Sequence, residues 1–292
     1  MFASRPSPRR RALRHALSAC GVWAMLGPVS ALGAQALPAG GAGVPAPGAT
    51  PTPRRTPWNL QLSGYTSSAD QGFGVWQGGD VRLLYNGTQF SPFASVGMQR
   101  RPEGQQQIVG VGSYIVLTKW LYSIVGYGAA PDRGTVLFPK MRADASLHAA
   151  VPGVEGLLLS AGITDLRYTD PRSGGQILSV GSMYYRGRGI YTGTVRLNTD
   201  RASGAKSSSW QAGAQWGAQG ASWFGVGAGA GNEAYQVLSA TPFDARFRSW
   251  SASAFWTKWV TARTGVGLRY DFERKIDVYH RHALGLSTFV EF

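Results

Sequence analysis

The chain ends, over residues 282–292, in His-Ala-Leu-Gly-Leu-Ser-Thr-Phe-Val-Glu-Phe. Successive side chains of a β-strand point to opposite faces. One face of this stretch would carry Leu284, Leu286, Thr288, Val290 and Phe292. Apolar and polar residues that alternate with a period of two indicate a strand with one apolar face. The chain therefore ends in an amphipathic strand whose last residue is aromatic.

The same alternation recurs upstream, most clearly over residues 141–149, 209–216 and 263–272. About fourteen strands fit between Trp58 and Phe292, with twelve as the alternative count. Connections after odd-numbered strands are mostly longer than those after even-numbered strands. The longer connections are predicted at residues 66–76, 130–138, 199–206, 231–246 and 273–281. An even number of antiparallel strands with long loops on one rim and short turns on the other is typical of a transmembrane β-barrel.

A soluble β-sandwich would show the same alternation, so the aromatic residues decide between the two folds. The chain has ten tryptophans and twelve tyrosines, and only 15% of its residues are charged. Tryptophans at strand ends are typical of membrane interfaces. The candidates for two aromatic girdles are Trp120, Trp216, Trp256 and Trp259 at one end of the strands and Trp210 and Trp250 at the other. We therefore expect an all-β, antiparallel transmembrane barrel of twelve to fourteen strands, with fourteen favoured.

The N-terminus predicts export. The first fifteen residues contain five arginines and no acidic residue. An apolar stretch follows and ends in small residues near position 36, which gives residues 1–36 the order of a secretory signal peptide. An uncleaved anchor helix and a lipoprotein signal at Cys20 are the alternatives. Residues 37–57 are rich in Pro, Gly and Ala and predict a flexible linker. We expect the barrel to cover residues 58–292 and to lie in the outer membrane.

The charge balance bears on partners. Removing the five arginines of the leader lowers the net charge from +14 to about +9. An exported basic protein meets phosphates of lipopolysaccharide or acidic glycans, not nucleic acid. The expected partners are outer-membrane lipid and lipopolysaccharide, the barrel assembly machinery and, as a candidate, an anionic glycan. Phe292, Val290 and Leu286 resemble the C-terminal signal that this machinery recognises, although Val290 stands where a second aromatic is common.

Several short motifs resemble the YaiO family of outer-membrane barrels. They are Thr-Val-Leu-Phe-Pro-Lys-Met-Arg at 135–142, Gly-Ile-Thr-Asp-Leu-Arg-Tyr-Thr-Asp at 162–170, Met-Tyr-Tyr-Arg-Gly at 183–187, Ser-Trp at 222–223 and Gly-Asn-Glu at 231–233. The resemblance covers about residues 58–292. It implies a structural or transport role linked with exopolysaccharide or cell-surface glycan handling, and it brings no catalytic residues.

Charged residues at inward positions are the first candidates for function. They are Asp80, Arg82, Arg142, Asp144, Arg196, Arg263, Arg269 and Asp271. Such side chains either pair across strands and fill the interior or line an aqueous route. In a route, Arg82, Arg142, Arg196 and Arg269 would favour carboxylate or phosphate groups through bidentate contacts. An anion-preferring or general porin is therefore one alternative to a role in polysaccharide export or envelope maintenance.

An outer-membrane hydrolase or acyltransferase is the second alternative. It would need a histidine near a nucleophile or a carboxylate. His148 shares a predicted strand face with Ser146 and Asp144, and Asp277, His280 and His282 lie near one rim. Two imidazoles without a third ligand make a poor metal site. We therefore expect no catalytic residues, no metal and no cofactor, and a non-enzymatic barrel.

Overall fold

The computed structural model describes residues 57–102, 104–131, 139–169, 174–236 and 244–292. Fourteen antiparallel strands form one closed barrel, which confirms the favoured strand number. The first seven strands are β1 Trp58–Ala69, β2 Gly74–Tyr85, β3 Phe90–Arg101, β4 Gly104–Val116, β5 Leu121–Ala129, β6 Met141–Ala150 and β7 Leu157–Arg167. The others are β8 Gly174–Arg186, β9 Gly189–Asp200, β10 Lys206–Ala218, β11 Ser222–Gln236, β12 Asp244–Trp259, β13 Thr264–Lys275 and β14 Tyr279–Glu291.

The barrel closes by pairing the first strand with the last. The β1–β14 register runs from Asn59 opposite Glu291 to Ala69 opposite Arg281. Closure leaves no free sheet edge, so every strand satisfies its backbone groups within the sheet, as a bilayer requires. The strands have 9 to 16 residues. A tilted strand needs about 9–11 residues to cross the apolar part of a membrane, so even the shortest strand is long enough. Among the described residues no helix is long and apolar enough to cross one.

Apolar side chains face outward. On β14, for example, Leu286 is 69% exposed on the outer wall, while Phe289 on the inner wall is 2% exposed. A soluble sandwich would turn its large apolar side chains into the core between two sheets. The single closed sheet and its apolar exterior therefore exclude that fold.

The two rims differ. The terminal rim carries Trp58, Phe292 and the turns between β2 and β3, β4 and β5, β6 and β7, β8 and β9, β10 and β11, and β12 and β13. The loop rim carries the other connections, of which the longest, at residues 130–140, joins β5 to β6. Longer loops of outer-membrane barrels face the exterior and short turns face the periplasm. We therefore place the loop rim outside the cell.

Four of the five connections predicted as long are shorter in the structure. The connection predicted at 66–76 spans 70–73, the one at 199–206 spans 201–205 and the one at 273–281 spans 276–278. At the fourth, predicted at 231–246, β11 continues to Gln236 and β12 begins at Asp244. The strands continue further because backbone pairing persists where both faces are polar, as at Ser67 and Ser68. The apolar alternation ends there, so the pattern alone places the strand end too early. The predicted signal peptide and, apart from Pro57, the predicted linker lie outside the described residues.

Candidate functional site in the barrel lumen

Small residues make up the middle of the inner wall. The inward positions of successive strands are mostly glycine, serine or threonine because the other face of each strand carries the apolar side chains. Examples are Ser63, Ser95, Gly110, Gly126, Ser160, Ser179, Thr194, Ser253 and Ser287. This surface offers hydroxyl groups and exposed backbone to the lumen without bulky side chains.

Four inward aromatic rings each face a glycine directly across a strand pair. The pairs are Tyr65 with Gly78, Phe93 with Gly112, Phe255 with Gly225 and Phe289 with Gly265. A Cβ added to any of these glycines would overlap the facing ring. Each ring therefore lies along the wall over the neighbouring strand instead of pointing across the lumen. Aromatic side chains cover strand glycines in this way because a glycine leaves room for the ring.

The inner wall of β5–β10 carries arginines that are partly exposed, and we call it the open sector. Arg142 donates to Asp144 on the same strand at 2.6 and 2.7 Å, and Asp144 also accepts from the Thr164 hydroxyl at 2.6 Å. Arg196 donates to the side-chain oxygen of Gln211 at 3.1 Å. That partner is neutral, so this bond does not neutralise the Arg196 guanidinium.

Tyr168 borders the open sector at the loop rim, just after β7. Its ring packs against Leu166 and Ile177. Burial raises the pKa of its hydroxyl, although Arg142 and Arg101 act in the opposite direction. The hydroxyl is therefore neutral at physiological pH, and the positive charges nearby belong to the arginines.

A second group of cations lies in a dense cluster at the loop rim. We call it the Trp76 cluster. It consists of Trp76, Arg101, Glu273, Lys275, Tyr279 and Arg281. The Trp76 side chain is 1% exposed, with the Arg101 guanidinium 4.3 Å and the Arg281 guanidinium 5.5 Å from its ring centroid. Tyr279 meets Trp76 edge to face at 5.6 Å. The residues of the cluster come from four strands, β3, β2, β14 and β13, on one side of the barrel mouth, and β1 lies between β2 and β14.

The charges of the Trp76 cluster are held by close partners. Arg281 and Glu273 form an ion pair at 2.9 Å, with side chains only 6% and 9% exposed. The Tyr279 hydroxyl donates to Glu273 at 3.3 Å, and the Lys275 ammonium lies 5.8 Å from the Tyr279 ring centroid. These residues were not predicted, because most of them lie in or beside the loops predicted at 66–76 and 273–281. If β13 and β14 had been extended with the same period of two, Glu273, Lys275 and Arg281 would have been assigned to the inner face.

Seven of the eight predicted lumen charges have inward positions. Asp80 accepts from the Ser63 hydroxyl. Arg82 donates to the Tyr114 hydroxyl at 3.1 Å and lies 4.3 Å from the Phe93 ring centroid. Arg269 and Asp271 pair at 2.6 Å. The Arg142 and Arg269 pairs each join residues two apart on one strand, whereas the prediction had pairing across strands.

Arg263 is the exception, and its predicted lumen position is wrong. It lies exposed in the turn between β12 and β13, because β13 begins at Thr264. Its backbone carbonyl accepts from the amide of Glu291 at 2.7 Å, so it helps to close the terminal rim. The alternation that was read from residue 263 extends one residue into the turn.

Five of the six predicted girdle tryptophans lie exposed on the outside of the barrel. They are Trp120, Trp210, Trp216, Trp250 and Trp256. Trp259 is placed differently, because its side chain is 6% exposed and packs edge to face against inward Phe289 at 5.1 Å. Trp256 and Lys258 occupy the outer face of β12, so position 259 must face inward. Unpredicted outer aromatics are Trp58, which contacts Tyr85 at 5.0 Å, and Tyr191, which accepts from the Trp216 indole at 3.3 Å.

The residues of the predicted assembly signal lie together on the outer wall. Leu286, Val290 and Phe292 are all exposed and share one face of β14. The Phe292 amide donates to the Trp58 carbonyl at 3.0 Å and the Trp58 amide donates to the Phe292 carbonyl at 3.1 Å. The last residue therefore closes the seam between the chain ends. Recognition of these residues by the assembly machinery stays a prediction.

The candidate catalytic residues do not form a triad. The His148 Nε2 atom lies 3.0 Å from the Ser146 hydroxyl, and its ring stacks on Tyr122 at 4.5 Å. The Asp144 carboxylate is instead bound to Arg142 and Thr164. His280 pairs with Asp70 at 3.0 Å rather than with Asp277, and His282 contacts the Tyr270 hydroxyl at 2.7 Å. Both rim histidines lie on the outer wall.

Clusters of side chains that could bind a metal ion were also expected to be absent. Within the described ranges, which omit residues such as 132–138 and 237–243, no group of three or more His, Cys, Asp or Glu could hold a metal ion.

Solved structures with a similar fold are outer-membrane proteins. A "Bacterial polysaccharide outer membrane secretin" superposes with a TM-score of 0.53 at 10% identity, covering 80% of this chain and 98% of that one. The "CymD monoaromatic hydrocarbon channel" has a TM-score of 0.50 at 9% identity, covering 81% and 89%. An outer membrane channel from Pseudomonas putida F1 has a TM-score of 0.50 at 12% identity, covering 86% and 99%. These identities establish a shared fold alone.

The family comparison is more specific. No curated protein has a significantly similar sequence. The model of the YaiO membrane beta barrel domain matches residues 59–236, which is more than half of the chain and includes the whole open sector. The expected resemblance is thereby confirmed, and the chain belongs to the YaiO membrane beta barrel family and resides in the outer membrane.

Proposed function

We propose that the protein is a non-enzymatic conduit through which acidic cell-surface polysaccharide crosses the outer membrane. The observation that carries the proposal is the set of four aromatic rings lying against glycines of the facing strands. Rings held against the wall leave the space between opposite walls free. Tyr65, Phe93 and Phe255 remain partly exposed, so these three rings can contact a passing solute, whereas Phe289 is covered by its neighbours.

The size of the barrel is compatible with a route. Strands about 4.8 Å apart and tilted by about 40° give a fourteen-stranded barrel a backbone diameter of about 28 Å. Eight-stranded barrels are filled by their own side chains, whereas barrels of 16–18 strands enclose an aqueous channel. Small inward residues such as Gly126 and Ser160 favour the wider class for this lumen.

The chemistry of the wall suits an acidic glycan. Aromatic faces pack against the apolar faces of sugar rings, and serine and threonine hydroxyls exchange hydrogen bonds with sugar hydroxyls. The Arg196 guanidinium donates to the neutral Gln211 amide and can still contact a carboxylate or phosphate group, whereas two nitrogen atoms of Arg142 already bind Asp144. A polysaccharide chain could thus move along the wall by replacing one weak contact with the next. Passage through a channel requires binding that is weak enough at each site for the solute to leave it.

An anion-preferring porin is the second candidate, because the same arginines would also attract small anions. The aromatic rings distinguish the two, since small ions do not stack on them. An enzyme is the weaker candidate, because Asp144 is bound to Arg142 and Thr164 and not to His148. That a polysaccharide secretin has this fold is compatible with the proposal but does not decide it.

Efflux from proteoliposomes tests the proposal. Vesicles would contain the purified barrel and two fluorescent oligosaccharides of equal length, one acidic and one neutral. We expect both sugars to leave, with the acidic one faster, and we expect the preference to decrease in an Arg142→Gln, Arg196→Gln variant. Retention of both sugars with free passage of chloride would favour the porin. Retention of sugars and ions alike would contradict any conduit.

A further inference from the structure

A pocket of about 360 Å³ lies on the outer wall at the loop rim, where β12, β13, β14 and β1 meet. We call it the His280 pocket. The lining residues that matter here are Asp70, Trp250, Phe272, Arg274, His280 and His282. The pocket lies on the side of the wall opposite to the lumen, so the conduit does not account for it.

The lower part of the pocket is aromatic. Trp250 contacts Phe272 with ring centroids 4.7 Å apart, and Phe272 contacts His282 at 5.0 Å. His282 is fixed in turn by the Tyr270 hydroxyl, 2.7 Å from its Nδ1 atom. The rings form a continuous ladder over β12, β13 and β14. Such a surface is suited to apolar or amphipathic groups.

The upper part of the pocket is basic. Arg274 lies directly opposite His280 in the β13–β14 register. Asp70 holds the His280 imidazole at 3.0 Å and accepts from the His280 amide at 2.7 Å. Arg248, exposed on the same face of β12, lies two residues from Trp250 toward the loop rim. Arg274 therefore lies between Trp250 and His280 in the register, and Arg248 lies next to the pocket, one pair of positions nearer to the loop rim than Trp250.

The order of the residues on β12 and β13 matches the order of groups in the outer leaflet. On β12 and β13 the cationic residue is nearer to the loop rim than the aromatic residue, with Arg248 above Trp250 and Arg274 above Phe272. On β14 His280 is nearer to that rim than His282. The loop rim faces the cell exterior, where the outer leaflet presents phosphorylated sugar headgroups above acyl chains. Guanidinium groups bind phosphate strongly, and aromatic side chains favour the membrane interface.

We propose that the His280 pocket binds the phosphorylated sugar headgroup of a lipopolysaccharide molecule in the outer leaflet. Arg248 and Arg274 bind the phosphate, and the ladder from Trp250 to His282 packs against the sugar and the start of its acyl chains. Asp70 keeps the His280 imidazole in place beside Arg274. This site does not depend on whether the lumen conducts.

Native mass spectrometry of the whole barrel, refolded in detergent and titrated with defined lipids, tests the site. The probes are phosphorylated lipid A, the same lipid A without phosphate, and inorganic phosphate as a competitor. The variants are Arg248→Gln with Arg274→Gln and, as a matched control, Lys258→Gln, which removes a cation from the same face of β12 at the terminal rim. Heat-modifiable gel migration verifies folding of each variant.

We expect phosphorylated lipid A to bind as a discrete adduct. Loss of two charge-assisted contacts should weaken this binding by about a hundredfold. Lys258→Gln should leave it unchanged. Equal binding of phosphate-free lipid A, equal weakening by Lys258→Gln, or full competition by inorganic phosphate at lipid concentrations would overturn the proposal. If the double variant does not fold, Arg274→Gln alone carries the same comparison, with about a tenfold loss expected.

Discussion

The Trp76 cluster and the open sector present cations to the same lumen in two different ways. In the cluster, the Arg281 side chain is 6% exposed, lies 5.5 Å from the Trp76 ring centroid and pairs with Glu273. In the open sector, Arg142 pairs with an aspartate that is 34% exposed, and Arg196 has a neutral partner. The first arrangement stabilises the wall, while in the second the Arg196 charge is bonded to a neutral amide and can act on a solute.

The largest expected effect is on stability, in the Trp76 cluster. Arg281→Gln would leave the Glu273 carboxylate buried without its cation, which typically costs about 3–5 kcal/mol. Arg142→Gln is the matched change in the open sector and should cost less, because Asp144 is 34% exposed and keeps the Thr164 hydroxyl as a donor. Urea unfolding in lipid vesicles, followed by tryptophan fluorescence, measures both. Equal losses would remove the distinction between the two regions.

The next effect concerns the aromatic rings along the wall. Gly225→Leu should displace the Phe255 ring into the lumen, lower the conductance and cost about 1–3 kcal/mol of stability through overpacking. Gly126→Leu is the control, because the nearest atoms to its Cβ are 3.9 Å away and no ring covers it. A single-channel recording compares the two leucine variants. If Gly126→Leu lowers the current as much, the rings are not what keeps the lumen free.

A smaller effect is expected at His148. His148→Ala removes the stacked ring beside Tyr122, and such contacts contribute about 0.5–1.5 kcal/mol. Neither lipid hydrolysis nor acyl transfer should differ between this variant and the wild type. An assay with a chromogenic ester and the same unfolding titration give the two readouts. Ester cleavage by the wild type that disappears in the variant would instead support the enzyme.

Changes in the open sector should have the smallest effect on stability. They should, however, change the ion selectivity of the lumen. Replacing Arg142 and Arg196 by Gln should shift the reversal potential in a salt gradient toward cations, because the guanidinium groups contribute positive potential to the lumen. Arg186→Gln, on the outer wall near the terminal rim, is the control and should shift nothing. An unchanged reversal potential in the double variant would show that Arg142 and Arg196 do not determine the ion selectivity.

Much of the fold could be predicted because lipid imposes a simple rule on every strand. An apolar side chain at each second position, as at Leu284, Leu286 and Val290, is needed wherever a strand contacts acyl chains, so the alternation revealed fourteen strands. The rule ends where the strands leave the membrane. At the loop rim charged and aromatic residues occur on both faces, so the alternation is lost, and the strand ends that hold Lys275 and Arg281 were predicted as loop.

The candidate site was predicted less completely for the same reason. Arg142, Asp144 and Arg196 lie within the apolar alternation and were found. Trp76 and Tyr279 lie at or beyond its end and were missed, although they carry the most buried part of the wall. Trp259 was assigned to the outer face although it is one residue after Lys258 and therefore faces inward, and Arg263 was assigned to a strand although it lies in the β12–β13 turn. Which cation meets which ring depends on neighbouring strands, and a single strand pattern does not contain that information.

Single-channel recording of the wild-type barrel in a planar bilayer, with acidic and neutral oligosaccharides of equal length added in turn, tests the central claim most directly. The account predicts a steady current that both sugars interrupt, with longer interruptions by the acidic sugar. It further predicts that this difference decreases in the Arg142→Gln, Arg196→Gln variant. A folded barrel that passes no current, or a current that neither sugar interrupts, would contradict a conduit for acidic polysaccharide.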